Sequence, residues 1–368
     1  MSPSHADFLR IMGGEDQSSE AKWWRRGLRL AQPFYYAGLQ THRLLTLPRR
    51  RSLGRPTLSI GNVTTGGTGK TPMTIAMVER LQAQGHKPAV LLRGYGVEIE
   101  AKQNADEVEV LRNAFQGGVP VEPNPNRVAG AQHILESHPE ISCFVLDDGF
   151  QHRRAKRDLD LVLVDATRPW GFDHLLPRGL LREPKGALRR AHGVIVTRSD
   201  QVSPEELNAL DEQIVKHHGK PPIAHAVHTW TSLRLGSKFC HLDTLKSLRV
   251  FGACGIGNPA TFEQQLRDHT DEVVGMAVYD DHHKYKRGEI PSIIHHAMER
   301  GASAIVTTEK DWVKWRKAGG QYKLKIPVYR PVVTMTFLDG ADTLDDLLTL
   351  HFSQNPTPTA PDLEPSPT

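Results

Sequence analysis

The chain has 368 residues, 38% of them apolar and 24% charged, a mix that can bury a large core and argues against wholesale disorder; its length suits two domains. A mean hydropathy of −0.43 and the lack of any uncharged apolar run of about 18 residues exclude a polytopic membrane protein. The net charge of +4 implies no nucleic-acid partner. Cys143, Cys240 and Cys254 are too widely spaced for a disulfide framework or a paired-cysteine zinc site, which fits a reducing compartment.

Residues 1–20 are polar and are expected to form a flexible N-terminus with no cleavable signal. Residues 21–47 read as one or two helices, with Pro33 as the expected kink or break. No acidic residue occurs between Glu20 and Glu79, whereas Lys22, Arg25, Arg26, Arg29 and Arg43 alternate with Trp23, Trp24, Phe34, Tyr35 and Tyr36. The stretch between Arg29 and Arg43 is too short to span a hydrocarbon layer of about 30 Å at about 1.5 Å per residue. Two readings remain from the residues alone: a helix lying in the plane of an anionic membrane surface, or a basic helix packed on the domain.

From residue 57 the texture is α/β. Expected strands cover 57–61, 89–92, 142–146, 159–164, 193–197, 224–228, 250–253, 272–278, 304–307 and 327–329. Several are apolar without alternation, as in strands buried on both faces of a parallel sheet. The first helix should follow Thr71, because Met73, Met77 and Leu81 share one face and Gly85 suits its stop. The run 217–222, with Gly219, Pro221 and Pro222, is the expected domain boundary. The Pro-, Thr- and Ser-rich residues 353–368 read as a disordered tail.

Two motifs carry chemistry. Thr64-Thr65-Gly66-Gly67-Thr68-Gly69-Lys70-Thr71 lies between an expected strand and an expected helix, the context of a phosphate-binding loop. Thr65 to Gly69 would turn backbone N–H groups toward phosphate oxygens. Lys70 would reach the β- and γ-phosphates and the Thr71 hydroxyl would bind Mg²⁺. Thr64 stands where the usual pattern has glycine. The second motif is an apolar strand ending in Asp147 and Asp148, the expected second anchor for Mg²⁺ at the carboxyl edge of a parallel sheet. Gln151 and His152 follow closely enough to line the same site. A phosphoryl acceptor also needs a base, for which Asp106, Glu107, Asp147, Asp148 and Glu183 are candidates. Arg127, Arg178 and Arg182 suit a bidentate grip on phosphate.

The ordered set of motifs resembles the lipid A 4′-kinase (tetraacyldisaccharide 4′-kinase) family. The set runs from Ser59-Ile60-Gly61-Asn62-Val63 and the phosphate loop to Arg93-Gly94-Tyr95-Gly96 and 147–152. It continues with Leu176-Pro177, Leu181-Arg182-Glu183-Pro184, Asp281-His282-His283 and Thr307-Thr308-Glu309-Lys310-Asp311. The resemblance implies transfer of the γ-phosphate of ATP, with Mg²⁺, to the 4′-hydroxyl of a tetraacylated glucosamine disaccharide 1-phosphate. It also implies an N-terminal membrane-associated helix at the cytoplasmic face of the inner membrane, and it favours the membrane reading of 21–47. The family's catalytic carboxylate falls on Asp106, where Ala105-Asp106-Glu107-Val108 stands for Gly-Asp-Glu-Pro, and its partner imidazole falls on His282.

The implied fold is a P-loop NTPase-type parallel sheet with helices on both faces (48–222), a smaller C-terminal α/β domain (223–352) and the N-terminal helix. No obligate protein partner is evident. The alternative reading is a P-loop GTPase switch or nucleotide-dependent assembly factor, because Thr197-Arg198-Ser199-Asp200 faintly echoes a guanine-reading run. A soluble small-molecule kinase would leave the N-terminal segment without a role.

Overall fold

The computed structural model describes residues 5–46, 50–94, 98–281, 283–318 and 325–353, with side chains left aside for 5–7 and 98–105. His282 and the expected tail beyond residue 353 lie outside the described residues. The chain divides into two compact units. The first comprises residues 1–104, 111–228 and 335–368, the second residues 105–110 and 229–334.

The first unit opens with two helices, α1 (His5–Gly13) and α2 (Ser19–Thr46). Part of the expected flexible N-terminus is therefore helical. α1 is held by tertiary contacts rather than by sequence pattern: the Arg178 guanidinium donates to the Met12 carbonyl (2.7 Å), and Arg25 donates to Ile11 (3.1 Å) and Asp16 (2.6 Å). α2 is one helix with Pro33 inside it, not two. Proline removes one N–H and opposes the carbonyl one turn back. Pro33 is exposed, so water can solvate the released carbonyl, while Gln32 and Tyr35 anchor the helix on its other face.

There follow β1 (Thr57–Asn62), α3 (Lys70–Ala83), β2 (Pro88–Leu92), α4 (Glu98–Phe115), β3 (Val121–Pro123), α5 (Arg127–Ser137), β4 (Cys143–Asp147), β5 (Leu159–Asp165), β6 (Gly193–Thr197), α6 (Pro204–His218) and β7 (Ala224–Leu235). The strand order is β3-β2-β4-β1-β5-β6-β7, with neighbours parallel. β1, β2, β4, β5 and β6 are buried along their whole length, which accounts for their unalternating apolar sequence. Leu91, Phe144 and Val128 share one core; Val162, Val164, Val196 and Ile214 share another. α3 buries Met73, Met77 and Leu81 and ends as the sequence suggests. Gly85 takes a left-handed φ of 85°, and the amides of Gly85 and His86 return to Gln82 (2.9 Å) and Leu81 (3.0 Å).

The second unit contains the rest of β7, β8 (Lys238–Cys240), β9 (Arg249–Cys254), α7 (Pro259–His269), β10 (Glu272–Val278), α8 (Glu289–Glu299), β11 (Ala304–Thr307), α9 (Glu309–Lys317) and most of β12 (Val328–Phe337). Its strands run β10-β9-β11-β12 in parallel. Phe251 and Ile305 belong to one core, whereas Val250, Ala304 and Val306 belong to another, so side chains alternate between two covered faces. β12 returns the chain to the first unit, where α10 (Ala341–Phe352) packs against α3 through Arg80–Asp345 (2.6 Å).

The division therefore falls within β7 and β12, and within α4, whose residues 105–110 belong to the second unit, and not at 222. The 217–222 run ends α6 and leads directly into β7, which pairs with β6 at Ile195 and Ala224. The short strands β3 and β8 lack a sequence signal of their own.

Candidate active site

β1 and β4 are neighbours, with Ile60 opposite Asp147, so the turn after β1 and the carboxylates after β4 emerge together at the carboxyl edge of the first sheet. Gly66 (φ 112°) and Gly69 (φ 87°) occupy backbone regions that disfavour side chains, and a Cβ on Gly69 would lie 2.5 Å from His228 Nε2. Thr64 in place of glycine has a local explanation. Its φ is not positive, it forms a bridge with Leu181, and its hydroxyl accepts from Asn62 Nδ2 (3.4 Å). The next amide, Thr65 N–H, donates to Leu180 (2.7 Å).

Lys70 opens α3, and its ammonium donates to Asn62 Oδ1 (3.3 Å) and lies 3.8 Å from Asp148. Thr71 and Asp147 are buried, and Thr74 donates its hydroxyl to Asp147 (3.3 Å). Asp148 holds a left-handed backbone (φ 52°) and takes both oxygens to Arg182 (2.8 and 3.0 Å). Burial alone would raise the pKa of Asp148, but Lys70, Arg182 and Arg127 outweigh it and hold the carboxyl below its ordinary value.

Gln151 links the elements. It donates to the Asn62 carbonyl (2.8 Å) and to Glu183 (3.3 Å), and it accepts from Arg182 (3.3 Å). Glu183 is buried between Arg153 (2.7 Å) and Arg190 (2.6 Å), and Arg190 lies 3.4 Å over the Phe150 ring. Burial would raise the Glu183 pKa, but the two guanidinium groups lower it. Glu183 thus fixes the wall of the site through Gln151 and Arg190. Burial, then the charges of Arg127 and Arg157, pushes His152 down to about 4, so its imidazole is neutral at neutral pH. Arg127, the first residue of α5, is buried and donates to the Asn124 carbonyl (2.7 Å). Arg178 donates to the Met12 carbonyl of α1.

The structure brings Lys70, Thr71, Asp147, Asp148, Gln151 and Arg182 together at the end of β1 and β4. Asp106 belongs to the second unit, where it pairs with Lys317 (2.5 Å). Its neighbour Glu107 lies 4.0 Å from Lys310. The run 307–311 also has a structural use there. Asp311 is fully buried and accepts from Thr308 Oγ1 (2.6 Å), Gly255 N–H (3.0 Å) and Tyr285 OH (3.2 Å).

Sequence reasoning missed Asn62, Thr74, Arg153, Arg190, Asp165 and Arg198 as parts of this neighbourhood. Asn62, a polar residue ending an apolar strand beside the phosphate loop, carried the one usable signal.

The donor set offered by Thr71, Asp147 and Asp148 consists of hard oxygens, which suit Mg²⁺. Among the described residues no group of three or more His, Cys, Asp or Glu could hold a metal ion.

α2 presents a different surface. Ala21, Arg25, Gln32 and Tyr35 lie on one stripe, and the last two donate to Leu175 (3.3 Å) and Arg182 (2.9 Å). At spacings of seven, four and eleven, the opposite stripe carries Trp23, Leu30, Phe34 and Leu45, exposed at 73%, 74%, 79% and 60%. Among the described residues no helix is long and apolar enough to cross a membrane.

Residues 24–351 match the family model described as Tetraacyldisaccharide-1-P 4′-kinase. The chain is 35% identical over 371 residues to a tetraacyldisaccharide 4′-kinase of Anaeromyxobacter sp. (strain K), covering 92% of this chain and 97% of that one. It is 36% identical over 315 residues to the Syntrophus aciditrophicus protein of the same name, covering 79% and 82%. Among solved structures, LpxK from Aquifex aeolicus in complex with ATP matches with a TM-score of 0.67 at 24% identity, over 89% of this chain and 99% of that one, a likeness of fold.

Proposed function

The chain belongs to the tetraacyldisaccharide-1-P 4′-kinase family, and we propose that it transfers the γ-phosphate of ATP to the 4′-hydroxyl of a tetraacylated glucosamine disaccharide 1-phosphate while resting on an anionic membrane surface. The observation that carries the reading is Lys70 beside Asp148, with Asp147 adjacent, where the phosphate loop meets β4.

The loop amides of 65–69 and the N-terminus of α3 would cradle the phosphates, and the Lys70 ammonium would leave Asp148 for the β- and γ-phosphate oxygens. Mg²⁺, held by Thr71 and the Asp147 and Asp148 carboxylates, would supply charge neutralisation at those oxygens. Arg182 keeps Asp148 ionised and oriented. Arg127, Arg182, Gln151 and the neutral His152 are the proposed contacts to the substrate, with Glu183 fixing Gln151 from behind. Asp106 is the proposed general base and His282 its orienting imidazole; the support is their place in the family-like order of motifs.

The exposed apolar stripe of α2, flanked by Lys22, Arg26 and Arg29, supports peripheral attachment, at the cytoplasmic face of the inner membrane by the family resemblance. The GTPase reading loses its one support, because Arg198 is engaged with Asp165 and the phosphate loop.

Incubation with ATP, Mg²⁺ and the acylated disaccharide 1-phosphate, followed by mass analysis of the lipid, tests the reading. A gain of one phosphate at the 4′ position is expected. Nucleotide hydrolysis with unchanged lipid, or a requirement for GTP, would overturn it.

A further inference from the structure

The end of β6 holds the phosphate loop from outside the phosphate-binding residues. Thr197, the last residue of β6, is fully buried and donates its hydroxyl to the Thr68 carbonyl (3.1 Å). Arg198 follows in a left-handed conformation (φ 55°, ψ 37°), uncommon for a residue bearing a side chain. Its guanidinium divides its two ends. One nitrogen pairs with the Asp165 carboxylate at the end of β5, and the other donates to the Gly67 carbonyl (2.6 Å). Asp165 is itself fixed, accepting from the Thr167 amide (3.0 Å) and hydroxyl (2.7 Å). Two successive carbonyls of the loop are thus turned toward β6. In a trans peptide the N–H points opposite its C=O, so holding the Thr68 carbonyl turns the Gly69 amide away from β6.

From this geometry we propose that Thr197 and Arg198, braced by Asp165, are positioning residues that preset the phosphate loop for ATP. This rests on the kinase reading above and assigns a role to a run that reading left without one. The planar two-ended guanidinium matters, because a lysine ammonium cannot pair with Asp165 and reach the Gly67 carbonyl through separate nitrogens at a fixed spacing. Unlatched, the loop must be ordered by the nucleotide itself, and that ordering weakens ATP binding. None of these atoms belongs to the residues proposed above to contact the acceptor lipid, so its KM should stay unchanged.

The test uses full-length protein and measures ATP affinity calorimetrically with Mg²⁺, then KM for each substrate and kcat, for Arg198→Ala, Arg198→Lys and Thr197→Val. Arg198→Ala should weaken ATP binding about tenfold, equivalent to about 1.4 kcal/mol. Arg198→Lys should fall between it and the wild type, and the near-isosteric Thr197→Val should also weaken ATP. The lipid KM should stay within about twofold throughout. Should Arg198→Ala fail to fold, the lysine and valine variants carry the same comparison. ATP affinity within about twofold of wild type in the folded variants, or an equal rise in the lipid KM, overturns the proposal. Wild type that neither binds ATP nor phosphorylates the lipid would instead defeat the kinase reading.

Discussion

Asp148 combines an ion pair with an unusual backbone, and two substitutions separate them. Its carboxylate meets Arg182 at 2.8 Å and Lys70 at 3.8 Å, with Asp148 and Arg182 each 27% exposed. Exposed ion pairs contribute about 0.2–1 kcal/mol, and hydrogen bonds to charged groups about 1.5–3 kcal/mol. The intermediate burial therefore suggests a loss of about 1–2 kcal/mol for Asp148→Asn. Asparagine tolerates the left-handed region, whereas alanine adds a backbone cost of about 1 kcal/mol at φ 52°. Asp148→Ala should then lose about 2–3 kcal/mol in all. The pH dependence has a definite sign. Burial opposes the charged form, but Lys70 and Arg182 hold the folded pKa below the unfolded value of about 3.9. The stabilisation is complete above that unfolded value and is lost as pH falls through the lowered folded value. Urea unfolding of wild type and both variants between neutral pH and pH about 3 measures these effects. Equal stability of Asn and Ala variants would refute the backbone argument. A gap between wild type and Asp148→Asn that does not narrow in acid would refute the charge argument. A Mg²⁺ titration of kinase activity, unchanged in Asp148→Asn and in Asp147→Ala, would remove both carboxylates from the metal site.

Lys70→Ala should lower kcat by about 10²–10³ without unfolding the chain, and near-normal turnover by the folded variant would remove Lys70 from the phosphate contacts. Replacing Trp23, Leu30 and Phe34 together by serine should reduce flotation with anionic vesicles while ATP affinity holds. The residual binding should weaken with salt as the Debye length falls from about 10 Å at 0.1 M to about 3 Å at 1 M. Asp106→Asn should lower kcat by about 10²–10⁴ with ATP affinity intact, measured beside Glu107→Gln; if only Glu107→Gln loses activity, Glu107 is the base.

Features controlled by neighbouring residues were legible in the sequence. Unalternating apolar runs located the buried parallel strands, and the strand–glycine loop–helix order located the phosphate loop. Features made by distant residues were not. α1 is fastened by Arg178 and Arg25, neither of which marks residues 5–13 as helical. Pro33 has a strong local signature for a break, yet α2 continues because the cost falls on a solvated face and tertiary anchors lie beside it. At the site, the motif carboxylates were legible as types. The pairing of Glu183 with Arg153 and Arg190, and of Asp148 with Arg182, requires the fold.

These distant contacts tie α2, the helix proposed to meet the membrane, to the candidate site within the first unit. Tyr35 and Gln32 of α2 hold the carbonyls of Arg182 and Leu175. The same 175–182 segment lies along the start of the phosphate loop, where Thr65 N–H donates to Leu180 and Arg182 N–H donates to Val63 (2.8 Å). The Arg182 side chain then grips Asp148, which in turn holds Lys70. A displacement of α2 along its axis must therefore break the Tyr35 and Gln32 bonds or carry the Arg182 backbone with it, and moving Arg182 changes the carboxylate that orients Lys70. A kinase whose acceptor is anchored in a membrane has to keep its phosphate donor at a fixed height above that surface. A helix proposed to face lipid, fastened through its inner stripe to the residue that grips Asp148, would meet that requirement without passing through the core of the sheet.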